Sequence, residues 1–235
     1  MVYIISLVAI PLTLLYICIQ SFEMLPSDIF LDFDENKKLF TRPYIHKDSD
    51  LCISVLFFLL SFFVAMTTQF ETFDHHSFFQ ILRYIVISIL LGHIFISDFL
   101  FQIIPDEHLL LILIANFGNF GANSLISGLF GFLPLFLLTL VAYILLGYPA
   151  IGFGDIKLLS VLGLLTAPTA ILAVQILACT LSGIFCIGIV IANFLYKMKK
   201  DKASTNLHSF VPLAPFIIFA FGFIHAFASQ LHSIL

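Results

Sequence analysis

From Lys157 to Tyr196 the chain runs apolar for 40 residues. A helix of that length would be about 60 Å long, twice the ~30 Å of hydrocarbon in a bilayer. The run must therefore break, and Thr166-Ala167-Pro168-Thr169 is the natural place, because proline cannot continue a helix from the preceding turn. A short helix over about 156–166 and a long one over about 170–196 follow.

The rest of the chain carries the same constraint. Of its 235 residues 61% are hydrophobic and 10% charged, with a mean hydropathy of +1.12. A soluble domain has about 25% charged residues, so this chain cannot cover itself with polar surface. A transmembrane barrel would need alternating segments of about ten residues, whereas these runs are uniformly apolar. The chain reads as one membrane-embedded unit over 1–235: an all-α, polytopic transmembrane helical bundle of about eight helices. The other helices are expected over about 2–22, 51–68, 79–97, 108–120, 127–147 and 210–232, with Pro11 kinking the first. That first run lacks the basic start and small-residue cleavage site of a secretory signal, so it is read as a retained helix. Cys18, Cys52, Cys179 and Cys186 sit in apolar runs without Cys-x-x-Cys spacing, which gives no zinc site or disulfide framework.

Basic residues set the orientation. Nine of the ten, Lys37, Lys38, Arg42, Lys47, Lys157, Lys197, Lys199, Lys200 and Lys202, fall in or beside the segments 23–50, 147–156 and 197–209. Helix counting puts these, with 98–108, on one side, which is then cytoplasmic; only Arg83 lies toward the other. Asp98 and Asp155 share the cytoplasmic side.

Asp155 stands in Gly152-Phe153-Gly154-Asp155-Ile156-Lys157-Leu158-Leu159, at the mouth of the short helix. About ten residues cover only half the hydrocarbon, so this helix is expected to start below the interface. Asp98 closes the third helix after Ile94-Phe95-Ile96-Ser97. Ionisable groups so close to apolar runs usually face a bundle interior or a water path. The plainer explanations are a helix cap for Asp155 and an interface-exposed carboxylate for Asp98. As a pair they offer more. Two carboxylates a few ångströms apart cannot both ionise cheaply, so one keeps a proton and the pair can act as base and acid on a water. Gly152 and Gly154 would let backbone approach where a side chain would block it.

These residues resemble the glycine-aspartate signature of type IV prepilin peptidases, the bacterial membrane aspartyl proteases that remove leader peptides from prepilins. In that family the first aspartate lies at a helix end several residues before an Ile-Pro-Asp or Ile-Pro-Asn, and Asp98 followed by Ile104-Pro105-Asp106 is similar. Val211-Pro212-Leu213-Ala214-Pro215 resembles the opening of the family's last helix. The resemblance implies Asp98 and Asp155 as the catalytic pair, and Gly152, Gly154, Pro105 and Lys157 as residues that shape the site. It also implies a peptidase core over 79–235, a bacterial inner-membrane location, and a prepilin or pseudopilin as substrate, with no cofactor and no metal. Beyond the lipid bilayer it names no other partner, and nothing in the chain suggests nucleic-acid binding; the oligomeric state is open.

Departures from the family pattern are informative. Phe99-Leu100-Phe101-Gln102-Ile103 holds no arginine where many members carry one, and Ala214 stands where glycine is usual. The loop 23–50 is too short for the methyltransferase domain of bifunctional members and has no Cys-x-x-Cys, so no methylation of the new terminus is expected. Its Asp28, Asp32, Asp34 and Glu35 would attract a basic leader. A proton- or cation-coupled transporter, a membrane scaffold, or a GxGD-type protease cutting within membrane helices would also use two such aspartates. His75 and His76, beside Asp74, read as an ordinary polar turn; His93 and His225 read as hydrogen-bonded core residues.

Overall fold

A computed structural model describes residues 2–25, 49–67, 78–148, 151–199 and 212–234. The acidic cluster Asp28, Asp32, Asp34 and Glu35, the turn with Asp74, His75 and His76, and Lys200 and Lys202 lie outside the described residues. Among the described residues there are eight α-helices, one 3-10 turn and no strand. In chain order they are α1 (Val2–Glu23), α2 (Ser49–Thr67), α3 (Phe78–Phe101), α4 (Asp106–Ala115), α5 (Ala122–Leu146), α6 (Phe153–Leu164), α7 (Pro168–Lys199) and α8 (Ala214–Ile234), with the 3-10 turn at Phe117–Asn119. By length and composition α3, α5 and α7 are long and apolar enough to cross a membrane.

The central helix is α3. In its most apolar 18 residues 61% are buried, against 11% for α5 and 17% for α7, so α5 and α7 turn most of their surface to lipid. It packs on α1, α2, α4 and α8, while α6 is held between α5, α7, α4 and α8. Leu91, Ile94 and Phe95 of α3 meet Leu158, Leu159 and Leu162 of α6 and Ile217 and Phe221 of α8 in one continuous apolar core. Lipid tails are as apolar as these side chains, so the specificity of packing comes from close fit and internal hydrogen bonds rather than from escape from water.

Two features hold α6 in place. The first is a seam of small residues. A Cβ on Gly131 of α5 would overlap the carbonyl oxygen of Leu159, and one on Gly163 of α6 would lie 2.5 Å from the carbonyl oxygen of Ser127. The second is a polar repair. Pro134, inside α5, has no N–H to give to Phe130 four residues back; Gln175 of α7 supplies one, its Nε2 donating to Phe130 O at 3.0 Å and to Gly131 O at 2.7 Å. A freed carbonyl in hydrocarbon is costly, which gives a polar side chain in α7 a structural role.

A second polar junction ties α1 and α4 to α3. His93 Nε2 donates to Cys18 O at 3.2 Å and lies 2.8 Å from Ser21 Oγ, while His93 Nδ1 is 3.3 Å from His108 Nε2. One proton assignment satisfies these contacts: His93 protonated on Nε2, and His108 donating from its own Nε2. His93 is thus a hydrogen-bonded core residue, and His108 is its unforeseen partner.

Several boundaries differ from the sequence expectation. α3 does not end at Ser97 but runs on to Phe101, placing Asp98 inside its last turn. Nothing in Asp98-Phe99-Leu100-Phe101 forbids a helix; a carboxylate alone is a weak stop signal. α5 begins at Ala122 rather than near 127, because Gly121 takes the extended cap position and its N–H meets Ser124 Oγ at 3.5 Å. α6 begins at Phe153, so Asp155 lies in its first turn.

Candidate functional site

α3 delivers Asp98 from its last turn, and the side chain is only 6% exposed. The helix closes just beyond it. Gln102 N–H donates to Asp98 O at 2.9 Å, and Gln102 takes a left-handed φ of 57°. Ser97 Oγ donates to Ile103 O at 2.6 Å, which fixes the turn that leads to buried Pro105 and into α4. That turn swings Ile104 over the start of α6. A Cβ on Gly154 would sit 3.2 Å from Ile104 Cβ, so the glycine is what admits the close approach. Gly152 has an ordinary extended conformation (φ −63°, ψ 140°). Its smallness, rather than a left-handed backbone, is what matters: a Cβ there would meet Asp155 Oδ2 at 3.0 Å.

Asp155 enters from the first turn of α6 and is near enough for the charge of Asp98 to act on it directly. Its Oδ1 is buried and has no hydrogen-bond partner among the described residues. A capping aspartate would hold a backbone N–H of its own helix, but the cap position of α6 is Gly152 and no side-chain capping bond is made. The simple cap therefore does not account for this carboxylate.

The third contributor comes from far along the chain. Ala214 N–H, at the start of α8, donates to Asp98 Oδ2 at 3.0 Å. A helix N-terminus carries unpaired N–H groups and a partial positive charge, so it is a favourable neighbour for an anion. The Pro212-Leu213-Ala214-Pro215 stretch thus contributes a backbone donor, and side-chain identity at 214 matters only through its size. Sequence reasoning noted the motif but not this role, since a backbone N–H carries no residue signature. An Ala214→Pro substitution removes that N–H while keeping a residue that the first position of a helix tolerates. Leader cleavage, if this pair performs it, is expected to fall about 10-fold or more, as for loss of a hydrogen bond to a charged group. Helical content by circular dichroism should be unchanged.

Lys157 points elsewhere. Its Nζ bonds both oxygens of Asp106, at 2.9 and 2.8 Å, and lies 5.3 Å from the ring centre of Phe153. It pins α6 to α4 at the rim of the site instead of touching either aspartate. Both ends of this pair are substantially exposed, so its contribution to stability is about 1 kcal/mol at most. Among the described residues no three His, Cys, Asp or Glu side chains come together as metal ligands.

Residues 85–187 match the family model of the type IV leader peptidases. Over this stretch the chain is similar to the type IV leader peptidase family. The matched leader-peptidase region runs from α3 to α7 and contains Asp98, Ile104-Pro105-Asp106 and the Gly152–Asp155 segment. It does not include Ala214, the backbone donor to Asp98. No curated protein and no solved structure matches the chain.

Proposed function

We propose that this chain is a membrane aspartyl endopeptidase that removes leader peptides from type IV prepilins or pseudopilins at the cytoplasmic face, with Asp98 and Asp155 activating water. The reading rests on one observation above all. Two buried carboxylates from separate helices are close enough for the charge of one to act on the other, one bonded to a backbone N–H and the other with an oxygen that has no hydrogen-bond partner among the described residues. The similarity of residues 85–187 to the type IV leader peptidases supports the substrate class.

In this mechanism a water bridges the pair. One carboxylate takes a proton as the water oxygen attacks the carbonyl carbon of the leader's last glycine. The other gives a proton to the scissile nitrogen as the C–N bond breaks. The products are a leader carboxylate and a free amino terminus on the mature protein, and the dyad ends with its single proton restored. Base and acid are not assigned to individual residues, because a coupled pair titrates as a unit. The Ala214 N–H orients Asp98, and Gly152 and Gly154 leave room for an extended peptide backbone beside Asp155.

The test is reconstitution of the purified protein in liposomes with a prepilin whose leader is basic and ends in glycine. Mass spectrometry of the product should show a single new, unmethylated amino terminus directly after that glycine. Intact prepilin after prolonged incubation with folded protein would sink the reading.

A further inference from the structure

At the opposite end of the bundle from the two aspartates lies a polar cavity of about 360 Å³. Arg83 lines it from the start of α3, 15 residues and so about 22 Å along the helix from Asp98. Asn116 and Asn119 reach it from the end of α4 and the 3-10 turn, Ser124 from the start of α5, and Thr166 from the end of α6. Asn116 is buried, whereas Asn119 and Ala167 are exposed, so the cavity opens at the surface and runs inward.

Its chemistry is one-sided. Among the described residues Arg83 carries the only formal charge on the lining, and no Asp or Glu faces it. Arg83 Nε is buried without a hydrogen-bond partner among the described residues. Its guanidinium rests 5.3 Å from the ring centre of Tyr84, which holds the fork in place but neutralises nothing. A guanidinium with an unused buried donor, ringed by two amides and the hydroxyls of Ser124 and Thr166, suits an anion with several acceptor oxygens. Phe78, Phe79, Leu82 and Val86 expose apolar surface on the same turns of α3, where acyl chains would lie.

We propose that this cavity binds the phosphate of a phospholipid headgroup from the leaflet at that end of the bundle, with Arg83 as its counter-ion. The site is separate from the aspartate pair and does not depend on what that pair cleaves.

The experiment uses delipidated full-length protein in detergent, with binding read by native mass spectrometry and by thermal shift. Its three probes are phosphatidylglycerol, diacylglycerol and inorganic phosphate. Phosphatidylglycerol should form a one-to-one adduct and raise the melting temperature, and diacylglycerol, which lacks the phosphate, should do neither. Arg83→Gln should weaken the adduct about 10-fold or more, as for loss of a charge-assisted hydrogen bond. Asn119→Leu, at the exposed mouth, gives a second variant that leaves the fold untouched and should also weaken it. Arg83-dependent stabilisation by inorganic phosphate, without a lipid adduct, supports the anion site and assigns it to a soluble phosphate. Equal adducts in the wild type and both variants, or no Arg83-dependent effect of either phosphate probe, overturn the proposal. So does a raised KM for prepilin in Arg83→Gln with lipid binding unchanged, which would give the cavity to the substrate.

Discussion

Replacing either Asp98 or Asp155 by asparagine is expected to lower kcat for leader cleavage by about 10³-fold or more, within the range lost with an acid–base group. The substitution is nearly isosteric. At Asp98 the amide oxygen can still accept the Ala214 N–H, so the bond recorded at 3.0 Å survives and the fold should too. What is lost is the capacity to take up and return a proton. Residues that act as a unit are strongly non-additive, so the double variant should be no more than about 10-fold worse than either single one. The measurement is single-turnover cleavage in liposomes, normalised to folded protein. Glu107→Gln is the matched control: Glu107 is an exposed carboxylate in the first turn of α4 and should be neutral. Full activity in either Asp98→Asn or Asp155→Asn would remove the dyad from the mechanism. Full cleavage in the double variant would return the pair to a transport or scaffolding role.

The next largest effect should come from a residue that touches no substrate. Gly131→Ala places a methyl group on the Leu159 carbonyl, and Gly163→Ala places one 2.5 Å from the Ser127 carbonyl. In both cases the obstacle is backbone in a facing helix, so no side chain can swing aside. α5 and α6 must separate, at a cost of about 1–3 kcal/mol for overpacking. Gly163 is eight residues, just over two turns, from Asp155 on the same rigid helix. A shift of ~1 Å there would carry the carboxylate with it, and misplacement of that size costs about 10²-fold in rate. The temperature of thermal inactivation and kcat should therefore fall together. Gly118→Ala is the control, since nothing lies within 4 Å of a Cβ at that position, and it should stay within about 0.5 kcal/mol of the parent. Normal stability in Gly131→Ala would mean that the α5–α6 seam is looser than described.

Much of the architecture was legible because its causes are local. Uncharged runs of membrane-spanning length, interrupted at Gly147 and Pro168, fix the number and order of helices without reference to any neighbour. The short α6 was readable in the same way, from the distance between the glycine-aspartate segment and Pro168. The errors at the ends of α3 and α5 arose where Asp98 and the polar residues just before 127 were read as lying outside a helix. Both are tolerated in a helix when the surrounding turns satisfy the backbone, and that is a property of the environment rather than of the residue.

The candidate site was half legible. Asp98 and Asp155 stand out because a carboxylate is costly in an apolar chain, and that cost is visible residue by residue. Lys157 was read as a residue that shapes the site, yet its partner is Asp106, a choice between nearby carboxylates that only packing makes. Ala214 was invisible as a donor, and Gln175, a single amide in α7, gave no hint that it repairs the carbonyl freed by Pro134. His108 carried no mark of its pairing with His93.

The sequence by itself determined an eight-helix membrane bundle and singled out two aspartates at helix ends, because hydrophobic length and charge cost act on each segment alone. The tertiary structure decided that the charge of one aspartate reaches the other, that the start of α8 donates to one of them across 116 residues, and that α6 can come close enough to α5 to hold the other. Those outcomes depend on small residues facing each other on different helices, and a contact between two segments is written in neither segment taken singly.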